Sequence, residues 1–153
     1  MNPRDVARHR LVQQQIACSR FKTPEAVVAS LGAVQAQALL GALWAIGLRM
    51  TDASQSSVER AIFDRTIVRT WPMRGTLHLV AASDVHWMLD LLAPRVIVGA
   101  KGRMRQFDID DSVVARSKRL LTDALQGGRQ LSRKEMYGVL QSAGISTPNQ
   151  RGL

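Results

Sequence analysis

Cysteine is nearly absent from the sequence, since Cys18 is the only one among 153 residues. A single cysteine excludes a disulfide bond within the chain, and it is typical of proteins in a reducing cytoplasm, where we expect this one to work. The cysteine and the three histidines do not have the spacing of metal ligands. We therefore expect neither a metal site nor an organic cofactor.

Long apolar runs are also missing. No run reaches the roughly 18 residues that a membrane-spanning helix needs, so we expect no segment that crosses a membrane. The opening stretch "MNPRDVARHR" contains Asp5 among its basic residues, and no apolar stretch follows it. A secretion signal is therefore not expected either.

Acidic residues are scarce relative to basic ones. The sequence has 12 Asp and Glu against 21 Lys and Arg, which gives a formal net charge of +9 at pH 7. A basic excess of this size in a small protein favours a polyanionic partner, nucleic acid first and an anionic membrane surface second. The alternative is a protein whose basic residues are merely solvated.

The first third of the chain is predicted to be helical. Residues 4–18 form a first helix, and a second begins with Thr23 as N-cap and Pro24 at the first helical position and ends at Gly32. Residues 38–50 are apolar on nearly every side, which predicts a buried helix.

The next part of the sequence predicts another helix, then a pair of strands, and then a further helix. Ser56 and Glu59 have capping-box spacing and predict the start of a helix. The runs "IVRTW" and "TLHLV" flank "PMRG", which predicts a β-hairpin. Ser83 is the predicted N-cap of the next helix, which Pro94 is expected to kink or split.

Two further helices are predicted near the end of the sequence. Residues 111–126 have an amphipathic pattern, and Ser132 with Glu135 forms a second capping box. Thr147 followed by Pro148 is again a helix-start signal, five residues before the end. Since so short a helix is not stable alone, we expect the chain to stop partway into an element.

Helices followed by a two-stranded hairpin are the order of a winged helix, a helix-turn-helix with a wing. We predict a mainly α fold with a small β-hairpin, in which residues 1–108 form a winged-helix domain and residues 109–153 the helical start of a second, truncated unit. Residues 38–50 are too apolar to lie in a DNA groove, whereas residues 56–65 carry arginines. The predicted DNA-contacting residues, which could also be ordinary solvated charges, are Arg60, Arg65, Arg69, Arg74, Arg103 and Arg105.

Two glutamines interrupt the apolar stretch "LGAVQAQALLGALWA" of residues 31–45. A buried amide without a partner costs roughly 1–3 kcal/mol, so both need an explanation. On a helix Gln35 and Gln37 would lie about 200° apart, and one would face solvent. If the segment is not helical, both point the same way and form a polar pair in an apolar wall, as in many small binding pockets.

Aromatic and imidazole side chains give weaker signals. Trp44 and Trp87 lie at apolar positions of predicted helices and are expected in the core, while the role of Trp71, beside the hairpin turn, stays open. His78 lies in the hairpin, and we expect a structural or solvated histidine there, with a contact to DNA as the alternative.

Taken together, "VQAQ" and "RTWPMRGTLHLV" resemble the bacterial winged-helix DNA glycosylases of the AlkZ-like type. The resemblance extends through nearly the whole chain and corresponds to the N-terminal portion of longer family members, which curl tandem winged-helix units into a channel. "MRGTLHLV" is its most specific part, because triplets such as "QAQ" arise everywhere by chance.

Members of this family excise N-alkylated purines and, in some cases, unhook interstrand crosslinks. The resemblance implies a monofunctional glycosylase that acts on damaged double-stranded DNA. It also implies that Gln35 and Gln37 are the catalytic pair and hold a water against the sugar C1′.

Two other classes of function also fit the residues. A non-catalytic winged-helix regulator would usually bind as a dimer, and no long apolar dimerisation helix is evident. A scaffold protein could present its basic face to an acidic partner, and salt-sensitive binding to any duplex DNA would argue against it.

Overall fold

The computed structural model describes residues 2–146 and has a mainly helical chain with a small antiparallel sheet, as predicted. The chain divides into two compact units, residues 1–98 and 99–153. Its helices and strands are α1 (Pro3–Gln13), α2 (Pro24–Leu31), β1 (Val34–Gln35), α3 (Leu39–Gly47), α4 (Gln55–Phe63), β2 (Ile67–Met73), β3 (Thr76–Ala81), α5 (Val85–Gln106), α6 (Asp111–Leu125) and α7 (Arg133–Ser142).

The start of α2 confirms the sequence prediction. The Thr23 hydroxyl oxygen accepts a hydrogen bond from the Ala26 N–H at 3.4 Å, Pro24 takes the first helical position, and Gly32 ends the helix with a φ of 75°. The first helix is shorter than predicted, because α1 ends at Gln13. Capping residues therefore predict where a helix begins and ends more accurately than amino-acid composition does.

The capping box predicted at Ser56 and Glu59 is wrong. The N-cap of α4 is Ser54, whose extended backbone lets its hydroxyl oxygen accept from the Ser57 N–H at 3.0 Å, while the Ser57 hydroxyl oxygen accepts from the Ser54 N–H. Glu59 instead accepts a hydrogen bond from the Gln55 amide at 2.7 Å. Several serines in this stretch have cap chemistry, and spacing alone selects the wrong one.

Ser83 is likewise not an N-cap. A short 3-10 turn, Ala82–Asp84, leads directly into α5, and the Ser83 hydroxyl lies 3.5 Å from the Asp84 carboxylate, to which it donates. Pro94 neither ends nor splits α5, which continues through it to Gln106.

The predicted hairpin is present as β2 and β3, with a turn that starts later than expected. Pro72 and Met73 still belong to β2, and only Arg74 and Gly75 make the turn, with φ angles of 53° and 66°. Two successive positive φ values are typical of the tight turns that match the twist of hairpin strands.

A third strand was not predicted. The two residues of β1 pair antiparallel with β3, which gives the sheet order β1-β3-β2. A two-residue strand leaves no periodic signal in the sequence, so only the pairing with β3 identifies it.

The core of the first unit lies between the sheet and α2, α3 and α4. It is made of buried aliphatic side chains, the most deeply buried of which include Val27, Val28, Ile46, Val58, Ile67 and Leu79. These side chains form the support behind β1 and the start of α3.

The prediction that residues 38–50 form a buried helix holds for one face only. Ala42, Leu43 and Ile46 are buried, but the side chain of Trp44 is 69% exposed. Trp87 is 50% exposed, so the expectation that both tryptophans belong to the core is wrong. An apolar pattern predicts which side chains could be buried. Whether a side chain is buried depends on which other elements pack against it.

The second unit contains α6 and α7. Asp110 is the N-cap of α6, and the predicted capping box of Ser132 and Glu135 opens α7. The Arg116 guanidinium donates to the Ala143 carbonyl and so joins the two helices. The helix start predicted at Thr147 lies outside the described residues.

Candidate active site

The segment of residues 34–37 is extended rather than helical. In β1, Val34 pairs with Leu79 and Gln35 pairs with His78. Ala36 is 0% exposed, whereas Gln35 and Gln37 on either side of it are exposed. This alternation is that of an extended chain, so the two glutamines lie on the surface side and Ala36 lies in the core.

The pairing of β1 with β3 changes at Ala36. The Ala36 N–H donates to the Leu77 carbonyl at 2.7 Å, which makes these two residues a hydrogen-bonded pair. In a regular antiparallel ladder the Leu77 N–H would donate back to the Ala36 carbonyl. Here it donates to the side-chain oxygen of Gln37 at 2.8 Å, so a glutamine amide replaces one main-chain acceptor of the ladder.

The Ala36 carbonyl, released from the ladder, is bound by Arg69 of β2. The Arg69 guanidinium donates to it through Nε at 3.1 Å and Nη2 at 2.7 Å. Nη2 also lies 3.4 Å from the Gln37 carbonyl. An unpaired buried carbonyl would cost about 1–3 kcal/mol, and the guanidinium removes that cost.

The two glutamine side chains therefore differ in chemistry. Gln35 is exposed, and its amide makes no hydrogen bond to any protein group within residues 2–146. Gln37 uses its oxygen as an acceptor for Leu77. Gln35 can accept a hydrogen bond from a water, while Gln37 offers chiefly its two N–H donors.

His78 of β3 is the cross-strand partner of Gln35 in β1. It is only 3% exposed, and its Nδ1 is 2.9 Å from the Thr76 carbonyl oxygen. A buried imidazole held by its own strand agrees with the structural histidine expected from the sequence.

The predicted DNA-contacting arginines of the first unit are all exposed. Arg60 lies on α4 with its guanidinium carbon 6.0 Å from the centre of the Phe63 ring, the distance of a cation–π contact. Arg65 follows the same helix, and Arg74 lies in the hairpin turn. Arg69 differs from them, because its guanidinium is bound to main-chain carbonyls.

Arg103 and Arg105 lie in the last turn of α5, in the second unit, and both are exposed. Within residues 2–146, no group of three or more His, Cys, Asp or Glu side chains could hold a metal ion. In the same range, no helix is both long and apolar enough to span a membrane.

Sequence reasoning found the two glutamines but missed what holds them. The role of Leu77 depends on its main-chain N–H, which no side-chain pattern reveals. The contact between Arg69 and Ala36 joins residues 33 positions apart, and no local spacing predicts it.

Comparisons with known proteins agree with the resemblance seen in the motifs. The profile of the family described as DNA glycosylase AlkZ-like matches residues 28–152. A stretch of 67 residues is 40% identical to an interstrand DNA cross-link repair glycosylase of Streptomyces sahachiroi; it covers 44% of this chain and 18% of that protein. No solved structure gives a significant match.

Proposed function

This chain belongs to the AlkZ-like DNA glycosylase family, and on that premise we propose that it acts in DNA repair as a monofunctional glycosylase, hydrolysing the N-glycosidic bond of N-alkylated purines in double-stranded DNA. Since the matched stretch covers 18% of the curated relative, the activity of the whole protein is part of this proposal. A location in the cytoplasm is part of this proposal, since a single cysteine is typical of proteins in a reducing compartment.

The observation that carries the proposal is the geometry of the Gln35–Gln37 segment. Two exposed amides flank a buried alanine, and strand pairing and a guanidinium fix the main chain between them. A group that positions a water must itself be held in place, because small displacements of a reacting atom cost large factors in rate.

The chemistry suits a damaged base. A neutral amide accepts a hydrogen bond from water but is too weak a base to remove its proton early. An N7-alkylated purine already carries a positive charge and leaves as a neutral base, so less help is needed to break the bond. Gln35 would orient the water, and the Gln37 N–H donors would bind an oxygen of the nucleotide or the water.

A weak base also limits the enzyme to lesions. Normal purines need protonation or a stronger base before they leave, and the two glutamines supply neither. Crosslinked purines are a second proposed substrate class, because an alkylated purine in a crosslink carries the same leaving-group charge and the relative is named for crosslink repair.

The DNA surface is proposed to be of the winged-helix type. In this arrangement α4 would lie against a groove, and the β2–β3 hairpin would be the wing that contacts phosphates. The exposure of Arg60, Arg65 and Arg74 supports this reading. Arg103 and Arg105 are proposed as further phosphate contacts.

The test is release of free base from duplex DNA that contains 7-methylguanine, detected by mass spectrometry, with binding to the same duplex measured in parallel. The full-length wild-type protein should release 7-methylguanine and leave guanine in undamaged DNA. The double variant Gln35→Ala/Gln37→Ala should lower the release rate by at least about 100-fold. Gln13→Ala, the same change at an exposed glutamine of α1, is the matched control.

Binding without release by the wild-type protein would contradict the proposal and favour a non-catalytic winged-helix module. Salt-sensitive binding to any duplex would then identify the phosphate contacts as its main source of affinity.

A further inference from the structure

The guanidinium of Arg69 has no acidic partner within residues 2–146, and its hydrogen bonds go to main-chain carbonyls. Two of its nitrogens bind the Ala36 carbonyl, and one of them also reaches the Gln37 carbonyl. An arginine used only for phosphate contact would point its planar donors into solvent. This one points them at the main-chain carbonyls of Ala36 and Gln37.

We propose that Arg69 is a positioning residue for the glutamine pair, an inference that rests on the proposed glycosylase function. Its guanidinium draws the Ala36 carbonyl out of the ladder, and the vacated Leu77 N–H is then bound by the Gln37 side chain. The same contact holds the peptide group between Ala36 and Gln37. Arg69 thus acts on the pair through the Gln37 side chain, without touching the substrate.

The hydrogen bond of the Ala36 carbonyl and that of the Leu77 N–H depend on each other. If the guanidinium is lost, the Ala36 carbonyl can return to the Leu77 N–H and complete the regular antiparallel pair. Gln37 would then lose its partner, and its side chain would move freely. A lysine at position 69 keeps the charge but cannot donate through two nitrogens of a planar fork, so it separates charge from geometry.

A double-mutant cycle of Arg69→Lys and Gln37→Ala measures this link. Arg69→Lys should lower the single-turnover rate of 7-methylguanine release by about 10-fold or more, as the loss of a charge-assisted hydrogen bond predicts, while the Kd for the duplex changes less than about twofold. In the Gln37→Ala background the same substitution should have little further effect on the rate. Arg20→Lys, an exposed arginine outside the site, is the control.

A contact between Arg69 and a phosphate predicts the opposite result. The substitution would then raise the Kd and lower the salt dependence of binding, and its effect would multiply with that of Gln37→Ala. Either finding would overturn the positioning role.

NMR relaxation of the Gln37 side-chain amide gives a readout that does not need activity. Its mobility should rise in Arg69→Lys, where the Leu77 N–H regains a main-chain acceptor, and should stay at the wild-type level in Arg20→Lys. An unchanged mobility of the Gln37 amide in Arg69→Lys would overturn the inference. Absence of base release from the wild-type protein would instead contradict the proposed function, so the two failures are distinguishable.

Discussion

The Gln35–Gln37 segment and the hairpin turn at Arg74 belong to the same sheet, yet they are held in opposite ways. Ala36 is buried; its N–H donates to the Leu77 carbonyl of β3, and its carbonyl accepts from the Arg69 side chain of β2. The turn is exposed and consists of two residues with positive φ. A group that positions a water for reaction must have a fixed geometry. A phosphate contact needs only a positive charge on a side chain long enough to reach the phosphate. Under the proposed function, we expect the first region to set the rate of base release and the second to set the affinity for DNA.

Among the substitutions that test this comparison, Ile46→Ala should have the largest effect, because it removes part of the hydrophobic core that supports the glutamine segment. Ile46 is fully buried in the same core cluster as Ala36. Truncation of such a side chain lowers the free energy of unfolding by about 2–5 kcal/mol. Urea denaturation measures the change.

Leu40→Ala on the same helix is the matched control, since the Leu40 side chain is 71% exposed. It should alter stability by less than about 1 kcal/mol. Equal losses in the two variants would contradict the placement of the core.

Arg74→Ala should weaken binding more than it slows base release. Removal of one phosphate contact reduces the slope of log K against log salt by about one and lowers affinity for every duplex sequence alike. Fluorescence anisotropy at several salt concentrations measures both quantities. A slope equal to that of the wild-type protein would show that Arg74 does not contact phosphate.

The sequence predicted the helix and hairpin content well and the site only in part. Thr23, Ser132 and Glu135 act through local spacing, and their caps were correctly predicted. The exposed Trp44 was not, because burial depends on which other elements cover a helix face. The two-residue β1 and the Arg69 contact depend on residues more than 30 positions apart, which no local pattern contains.

The smallest expected effect is a change in the pKa of a carboxyl group in a helix cap of the second unit. Hydrogen bonds from the Ser132 hydroxyl and from the Ser132 N–H lower the pKa of the Glu135 carboxyl below its ordinary value. The folded-state pKa is therefore below the unfolded one, so the cap contributes stability above the unfolded pKa and loses it as pH falls through the folded pKa.

Ser132→Ala should raise the pKa of Glu135 towards its ordinary value in an NMR titration. Asp110, whose pKa is lowered by the Val113 N–H and the Ser112 hydroxyl, is an internal control and should keep its pKa. A Glu135 pKa that does not move would show that the serine is not the cause of the shift.

The most direct test of the central claim is the single-turnover rate of 7-methylguanine release by Gln35→Ala and Gln37→Ala, each measured together with the Kd for the same duplex. The account predicts that both rates fall far more than the affinities, with the larger loss in Gln35→Ala because its amide oxygen is the one left to accept from water. Equal losses of release and binding in both variants would contradict it and make the glutamines part of the DNA-binding surface.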